Sequence, residues 1–379
     1  MSDKLFHQMD FHMASRAAAS LLLCAGLALC CLAWPAHAQI ASTAPQGPRL
    51  SFDIISQSYQ FNENERLSQL STPISLRLPV GQRSVLSLHT TSALTSGPGV
   101  PTFGGIGDVR INGASRIAIG PGDLVLGARV SLPLGSTELT PERFQTTVLF
   151  SRDHFQFRTP VYGQALSIAP SVLYAFPLGE NVALGVGFRY HYRDSYRPVA
   201  DMEDAFNAGD DIAVTAGLDV RLARSWDLSL DAVYTWYDED AVGDQSIFAA
   251  GDQLIAGASI TGRFGMNQLI LSGRYRERGR PEIPQLDGSF VPALRTVSDF
   301  VTGRLAFVAQ PTGWLSLEGR LGGRFYDASD ITERLDLVDV GVLPRVSVSE
   351  EISLRGRFIY TAGTFAGFEA GVGISAVLR

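Results

Sequence analysis

The sequence predicts an all-β fold: a transmembrane, antiparallel up-and-down β-barrel of 12–16 strands, with 16 as the best count. Three observations point there. The first is the stretch Asn181 to Arg193. One alternate set of residues reads Val182, Leu184, Val186, Phe188, Tyr190, Tyr192; the other reads Ala183, Gly185, Gly187, Arg189, His191, Arg193. Period two means an extended strand with unlike faces, and a helix would scatter the apolar set all round. A strand this long is about twice the usual length in a soluble sandwich. It fits a strand that is apolar outside, polar inside and aromatic at the rim.

The second observation is a length. Trp226, Leu228, Leu230, Ala232, Tyr234 and Trp236 form the apolar face of the stretch Trp226 to Tyr237. The step from Trp226 to Trp236 covers roughly 33 Å of strand. Tilted by about 40°, that projects to roughly 25 Å, the height of a lipid-facing band between aromatic girdles. Tyr190, Tyr192, Trp226, Tyr234 and Trp236 are the expected girdle residues.

The third is the connections, which alternate in length. Short ones fall at Pro79 to Arg83, Pro177 to Asn181, Ala223 to Ser225, Gly265 to Met266, Pro311 to Gly313 and Ser347 to Glu350. Long ones fall between them: Thr95 to Ile106, Leu134 to Gly163, Asp194 to Asp210, Asp238 to Gly251 and Gly279 to Arg295. A barrel threaded from the periplasm has short inner turns and tolerates long outer loops. Against this parity, the outer link Thr361 to Phe365 is short, and the last residue is Arg379 rather than an aromatic.

Taken in order, residues 1–38 are expected to be a signal peptide. Lys4 and Arg16 open it, Ala17 to Trp34 is its apolar core, and Ala36-His37-Ala38 is a small-x-small cleavage site before Gln39. Cys24, Cys30 and Cys31 all lie inside it and lack the preceding small residue of a lipoprotein signal. Cleavage would leave no cysteine and no lysine, which excludes disulfides and thiolate metal sites. It removes two bases (Lys4, Arg16) and two acids (Asp3, Asp10), so the net charge of −7 is unchanged. An acidic chain argues against a nucleic-acid partner. After the first forty residues no apolar run reaches the length of a membrane helix.

Residues 39–49 read as a short periplasmic leader, too short for a plug domain, and 50–379 as the barrel. Its strands are expected near 50–61, 73–80, 84–94, 107–118, 124–133, 164–176, 182–193, 211–222, 226–237, 252–264, 267–278, 296–309, 314–326, 335–348, 351–361 and 366–378.

The alternation places charge on one side of the sheet. Arg129, Arg189, His191, Arg193, Arg221, Arg263, Arg274, Arg276, Arg304, Arg320, Arg324, Arg355 and Arg357 face the interior, with Asp219, Asp227, Asp231, Glu318 and Glu369. A charge on the lipid face would cost about 2–4 kcal/mol at mid-depth, so charges collect inside. Two arrangements fit: a water-filled pore biased toward anionic or polar solutes, or a ladder of arginine–carboxylate pairs bracing the lumen, for example Glu318 and Arg320 against Arg304.

Leu134 to Gly163 is the longest outer connection. Thr140-Pro141-Glu142 looks like a helix N-cap followed by proline. Phe144, Val148, Phe155 and Phe157 make the segment too apolar for a free loop. Either it folds inward and narrows the channel, or Gln145 to Ser151 and His154 to Arg158 form an extra hairpin above the membrane.

Acidic groups cluster in three outer loops: Asp201 to Asp211, Asp238 to Asp252, and Asp327 to Asp336. Their spacing matches no calcium loop, so they read as solvated rather than metal-binding. Only His89, His154 and His191 survive cleavage. They are far apart, and Ser92 is wrongly spaced from His89 for a barrel lipase, so no enzyme, metal or cofactor is expected.

Gly105-Ile106-Gly107-Asp108-Val109-Arg110, then Leu124 to Arg129, then Ser131-Leu132-Pro133-Leu134-Gly135 follow a recurring order: a G-x-GD strand, a turn, and a strand closing in L-P-x-G. Over about thirty residues this resembles the outer-membrane transporter barrels encoded with phenol and other aromatic-degradation pathways. Those are similar in outline to long-chain fatty-acid channels, although this chain lacks their long N-terminal hatch. The resemblance implies diffusion of small hydrophobic compounds. The expected role is therefore an outer-membrane channel for passive uptake of polar, anionic or small aromatic molecules in a Gram-negative cell. The other possibility is a structural or interaction protein with a side-chain-sealed lumen. Expected partners are membrane lipid, lipopolysaccharide and a small-molecule solute.

Overall fold

The protein is described from a computed structural model, in which residues 47–62, 65–285 and 289–378 are placed. The expected signal peptide 1–38 and residues 39–46 of the leader lie outside the described residues. Sixteen antiparallel strand positions close into a barrel. In chain order the wall begins with β1 (Arg49–Asn62), β2 (Glu65–Val80), β3 (Ser84–Gly97), β4 (Val100–Ile106), β5 (Val109–Ile119), β6 (Gly122–Leu132), β7 (Ser167–Pro177) and β8 (Val182–Arg193). After the short outer strand β9 (Phe206–Asn207) come β10 (Asp211–Ala223) and β11 (Trp226–Tyr237). Two more outer strands follow, β12 (Glu239–Val242) and β13 (Gln245–Ala249), then β14 (Gln253–Phe264) and β15 (Asn267–Arg278). The last outer pair is β16 (Glu282–Pro284) and β17 (Phe290–Pro292). The wall finishes with β18 (Phe300–Thr312), β19 (Leu315–Tyr326), β20 (Leu335–Ser347), β21 (Ile352–Gly363) and β22 (Ala366–Val377). β1 pairs with β22, which closes the ring.

β4 and β5 occupy one position between them. β4 pairs with the outer half of β3 and β5 with its inner half, and the strand breaks at Gly107-Asp108. β5 continues into register with β6, whereas among the described residues β4 is in register only with β3.

β8, β11 and β15 begin and end where the alternation places them. Their outward residues are exposed and apolar: Val186, Phe188, Tyr190 and Tyr192 on β8, Leu230, Tyr234 and Trp236 on β11. Trp226 is half-buried, edge-on to Phe264 at 5.5 Å between ring centroids. The same outward belt continues through Leu271, Leu305, Leu321, Val340 and Phe358. An apolar belt on the outside of a closed sheet, with small and charged residues within, is the reverse of a soluble barrel and suits a lipid surround.

Three expectations need correction. The second strand starts at Glu65, not near 73, and runs through Leu67, Gln69 and Ser71, which are buried against the interior. The alternation fails there because Ser68 and Thr72 share the outward face with Leu70. The connection Thr95 to Ile106 is not a loop: β3 and β4 extend through it and turn at Gly99, whose φ is +69°. The outer loops 194–210, 238–251 and 279–295 are not simple connections either. Parts of them pair into a five-stranded sheet in the order β17-β16-β13-β12-β9. Its strands are two to five residues long, too short to show a period.

Candidate functional site

The outer connection between β6 and β7 turns inward; it forms no extra hairpin. It starts with α1 (Pro141–Phe150), capped by the Thr140 hydroxyl, which accepts from the Arg143 backbone N–H at 3.4 Å. Pro141 sits at the first helical position, where its missing N–H costs nothing. Phe144 and Phe150 are buried. Residues 145–150 are thus helical, and residues 151–160 continue as turns and coil among interior side chains.

The neck of this loop is built from the two motifs picked out in the sequence. The Asp108 carboxylate of the G-x-GD segment accepts from the backbone N–H of Gly135, at 3.1 Å, and of Gln164, at 2.9 Å. Gly135 is the glycine of L-P-x-G. The two limbs lie so close that a Cβ on Gly135 would fall 1.6 Å from the Tyr162 carbonyl oxygen. Tyr162 is fully buried, and its hydroxyl donates to Thr95 Oγ1 at 3.2 Å and to the Phe103 carbonyl at 3.3 Å. The strand break at Gly107-Asp108 and the loop neck are one construction.

Beyond the neck the segment is held from several sides of the wall. Gln57 on β1 donates to the Gln156 carbonyl at 2.9 Å and accepts from Arg158 N–H at 3.0 Å. Gln69 on β2 donates to the Thr159 carbonyl at 3.0 Å and accepts from its N–H at 3.0 Å. Arg324 on β19 donates to the His154 carbonyl at 2.6 Å, and Tyr326 donates to that of Asp153 at 3.3 Å. Asp153 pairs with Arg276 on β15, and Arg158 pairs with Glu369 on β22 at 2.7 Å. Phe155 and Phe157 pack on Tyr59 at 5.6 and 5.1 Å between centroids. Burial among these rings, with the Arg152 and Arg324 charges nearby, pushes the His154 imidazole down to about 3.

Most of the interior arginines meet carboxylates. Arg189 (3.0 Å), Arg193 and His191 (2.8 Å) converge on Asp211, which is 1% exposed. Arg263 and Arg221 share Asp227 at 2.6 and 3.9 Å. Arg324 grips Asp339 with two nitrogens at 2.7 and 2.9 Å. Arg355 meets Asp53 at 3.1 Å, and Arg357 meets Glu369 at 3.1 Å. Arg320 pairs with Glu318 on its own strand at 2.8 Å. The pairing expected against Arg304 does not form: among the described residues neither Arg304 nor Arg274 has an ion pair. Arg129 donates to Asn112 at 3.1 Å.

The partners Asp53, Asp153, Asp211 and Asp339 were missed among the interior carboxylates, although the parity of β1, β10 and β20 points Asp53, Asp211 and Asp339 inward. Gln57 and Gln69 carry no charge and gave no such signal.

Two cavities flank the inward segment. One, of about 630 Å³, extends toward the short inner turns and is lined by Asp231, Arg263, Arg274, Arg304, Arg320 and Glu369, among others. The other, of about 240 Å³, lies toward the outer mouth between the segment and β14, β15 and β18. Gln156, Arg274 and Thr302 line both.

No protein-family model and no curated protein matches the chain. Solved structures of similar outline include an outer membrane channel from Pseudomonas putida F1, with 10% identity over 88% of this chain and 97% of that one (TM-score 0.41). The CymD monoaromatic hydrocarbon channel shares 11% identity over 89% and 90% (TM-score 0.44). OpdL of Pseudomonas aeruginosa shares 12% over 88% and 99% (TM-score 0.44). The barrel architecture described above rests on the strand pairing itself.

Proposed function

We propose that the chain is an outer-membrane channel for passive uptake of small molecules, with solute passing beside the inward segment. The supporting observation is that space remains on both sides of the inward segment, in two cavities that share Gln156, Arg274 and Thr302 as lining, where the loop could have filled the lumen. Residues 1–38 would direct export and be removed. The exposed belt would meet lipid, with Tyr190, Tyr192, Tyr234 and Trp236 at the headgroup level and the outer sheet facing lipopolysaccharide. Arg274 and Arg304, with no carboxylate at pairing distance among the described residues, would bias the lumen toward anionic or polar solutes. The aromatic rings along the inward segment suit small aromatic compounds.

The purified barrel in a planar lipid bilayer tests this. Steady open current supports the channel, and Arg304→Ser should shift its ion preference. One set of observations favours a second reading, a structural barrel with a sealed lumen: the interior ion pairs and the many bonds that fix residues 151–160. Electrical silence in the bilayer would favour that reading.

A further inference from the structure

Five adjacent wall strands carry one unbroken row of inward residues. Asp219 on β10 stands opposite Ser229 on β11, Ser229 opposite Ser259 on β14, Ser259 opposite Ser272 on β15, and Ser272 opposite Arg304 on β18. All five line the cavity of about 630 Å³. Ser229 donates to the Asp219 carboxylate. Among the described residues the hydroxyls of Ser259 and Ser272 have no hydrogen-bond partner, nor have those of Thr261 and Thr302, which line the cavity on either side of the row. Arg304 is exposed to the cavity and has no ion pair among the described residues. The charges that act on it are Arg320 and Glu318, and Glu318 is held by two nitrogens of Arg320 at 2.8 and 3.1 Å. Asp231, one position further out on β11, faces Arg274 across Gly257.

We propose that this row is a binding site for a small polyhydroxylated carboxylate, such as a six-carbon sugar acid, held by Arg304 at its charged end and by the serine hydroxyls along its body. It deepens the channel reading and rests on it, because solute must reach the row through the barrel. A carboxylate presents two coplanar oxygens to the fork of a guanidinium. Sugar hydroxyls both donate and accept, as those of serine and threonine do, so each can meet a wall hydroxyl in either sense. Ser272 and Ser259 stand one and two strand spacings from Arg304, about 5 and 10 Å along the row. A chain held by its acid end therefore lays its hydroxyls over them. A neutral sugar would leave Arg304 without an acceptor. A fatty acid would leave the hydroxyls without partners. An α-amino acid carries its ammonium beside its carboxylate, whereas the acidic end of the row lies about 19 Å from Arg304 round the wall. The cavity volume falls within the range of small-molecule sites.

The test is a saturation-transfer NMR titration of the full barrel in detergent, corrected against empty micelles, with gluconate, sorbitol and hexanoate as probes. Sorbitol keeps the hydroxyl chain without the acid, and hexanoate keeps the acid without the hydroxyls. Gluconate should bind about tenfold tighter than either, in line with one or two hydrogen bonds to a charged group. Arg304→Gln should weaken gluconate about tenfold and leave sorbitol unchanged. Ser259→Ala combined with Ser272→Ala should weaken gluconate and sorbitol about fivefold and leave hexanoate unchanged. Heat-modifiable gel migration shows that each variant is folded. Gluconate binding equal to that of sorbitol or of hexanoate, or unaffected in both variants, would overturn the site. Bilayer current separates the two readings. Conduction without preferential gluconate binding sinks the site alone, and silence with intact binding sinks the channel alone.

Discussion

Gln57 on β1 and Gln69 on β2 stand directly opposite each other in the strand register, and each uses both ends of its amide to hold the backbone of the same inward segment. An amide that donates to a carbonyl and accepts from an N–H does what a neighbouring strand would do. Coil lying inside a barrel has no strand beside it, so side chains satisfy its backbone instead. Both glutamines are at most 1% exposed.

Replacing Gln57 and Gln69 by Leu should therefore loosen residues 156–159 without opening the wall. Each change leaves buried backbone groups unsatisfied, at about 1–3 kcal/mol per group. Limited trypsin digestion reports the change: cutting at Arg152 and Arg158 should speed up in the double variant. Protection equal to the parent would show that the amides do not hold the segment.

Gly135→Ala should disturb the neck severely, because its Cβ has nowhere to go beside the Tyr162 carbonyl. Asp108→Asn should act more mildly, since one acceptor oxygen remains for the two N–H groups of Gly135 and Gln164. The expected order in urea unfolding is parent, then Asp108→Asn, then Gly135→Ala, with the middle step about 1–2 kcal/mol. An alanine variant as stable as the parent would contradict the close approach of the limbs.

His154 should make the inward segment sensitive to acid. Its ordinary value of 6.5 falls to about 3 in the fold, so the folded state favours the neutral ring. That contribution is complete above about pH 6.5 and is lost progressively as pH falls toward 3. Bilayer conductance should rise between pH 7 and 4.5 as the segment loosens. His154→Gln should flatten this step; an unchanged step would show that the imidazole does not set it.

Arg324 and Asp339 form a largely buried pair, with side chains 5% and 16% exposed. Arg324→Met alone should cost about 3–5 kcal/mol, because it strands the carboxylate, and adding Asp339→Leu should recover much of that. Failure of the second change to recover stability would mean that the bond from Arg324 to the His154 carbonyl matters more than the ion pair.

Val340, in the middle of β20, is 53% exposed on the outward belt. Val340→Arg should destabilise the barrel by about 2–4 kcal/mol in lipid vesicles. The same change at Ile331, in the outer link between β19 and β20, should cost little. Equal costs would argue that lipid does not surround the belt.

The wall was legible because lipid imposes a strict rule on each outward position. Val186, Phe188 and Leu230 obey it, so β8 and β11 could be bounded to the residue. Where strands rise beyond that constraint the rule lapses, which is why Glu65 to Thr72 was passed over. The outer strands from Phe206 to Pro292 are too short to carry a period at all. Inside, charge was legible by parity, and Asp339 follows the same parity although it was overlooked. The path of the loop was not. Its phenylalanines indicated that it needed cover, but its fixings are uncharged amides and backbone groups, which no pattern of charge or hydropathy reveals.

The inward segment is fastened at the seam of the ring. Gln57 on the first strand faces Glu369 on the last, and the two side chains bond at 3.1 Å. Both also hold the segment, Gln57 at Gln156 and Arg158, Glu369 at Arg158. Half of this fastening is synthesised long before the segment and half long after it. The loop can settle only once the two termini of the barrel have found each other, so its docking should be the last event of assembly and a report that the ring has closed.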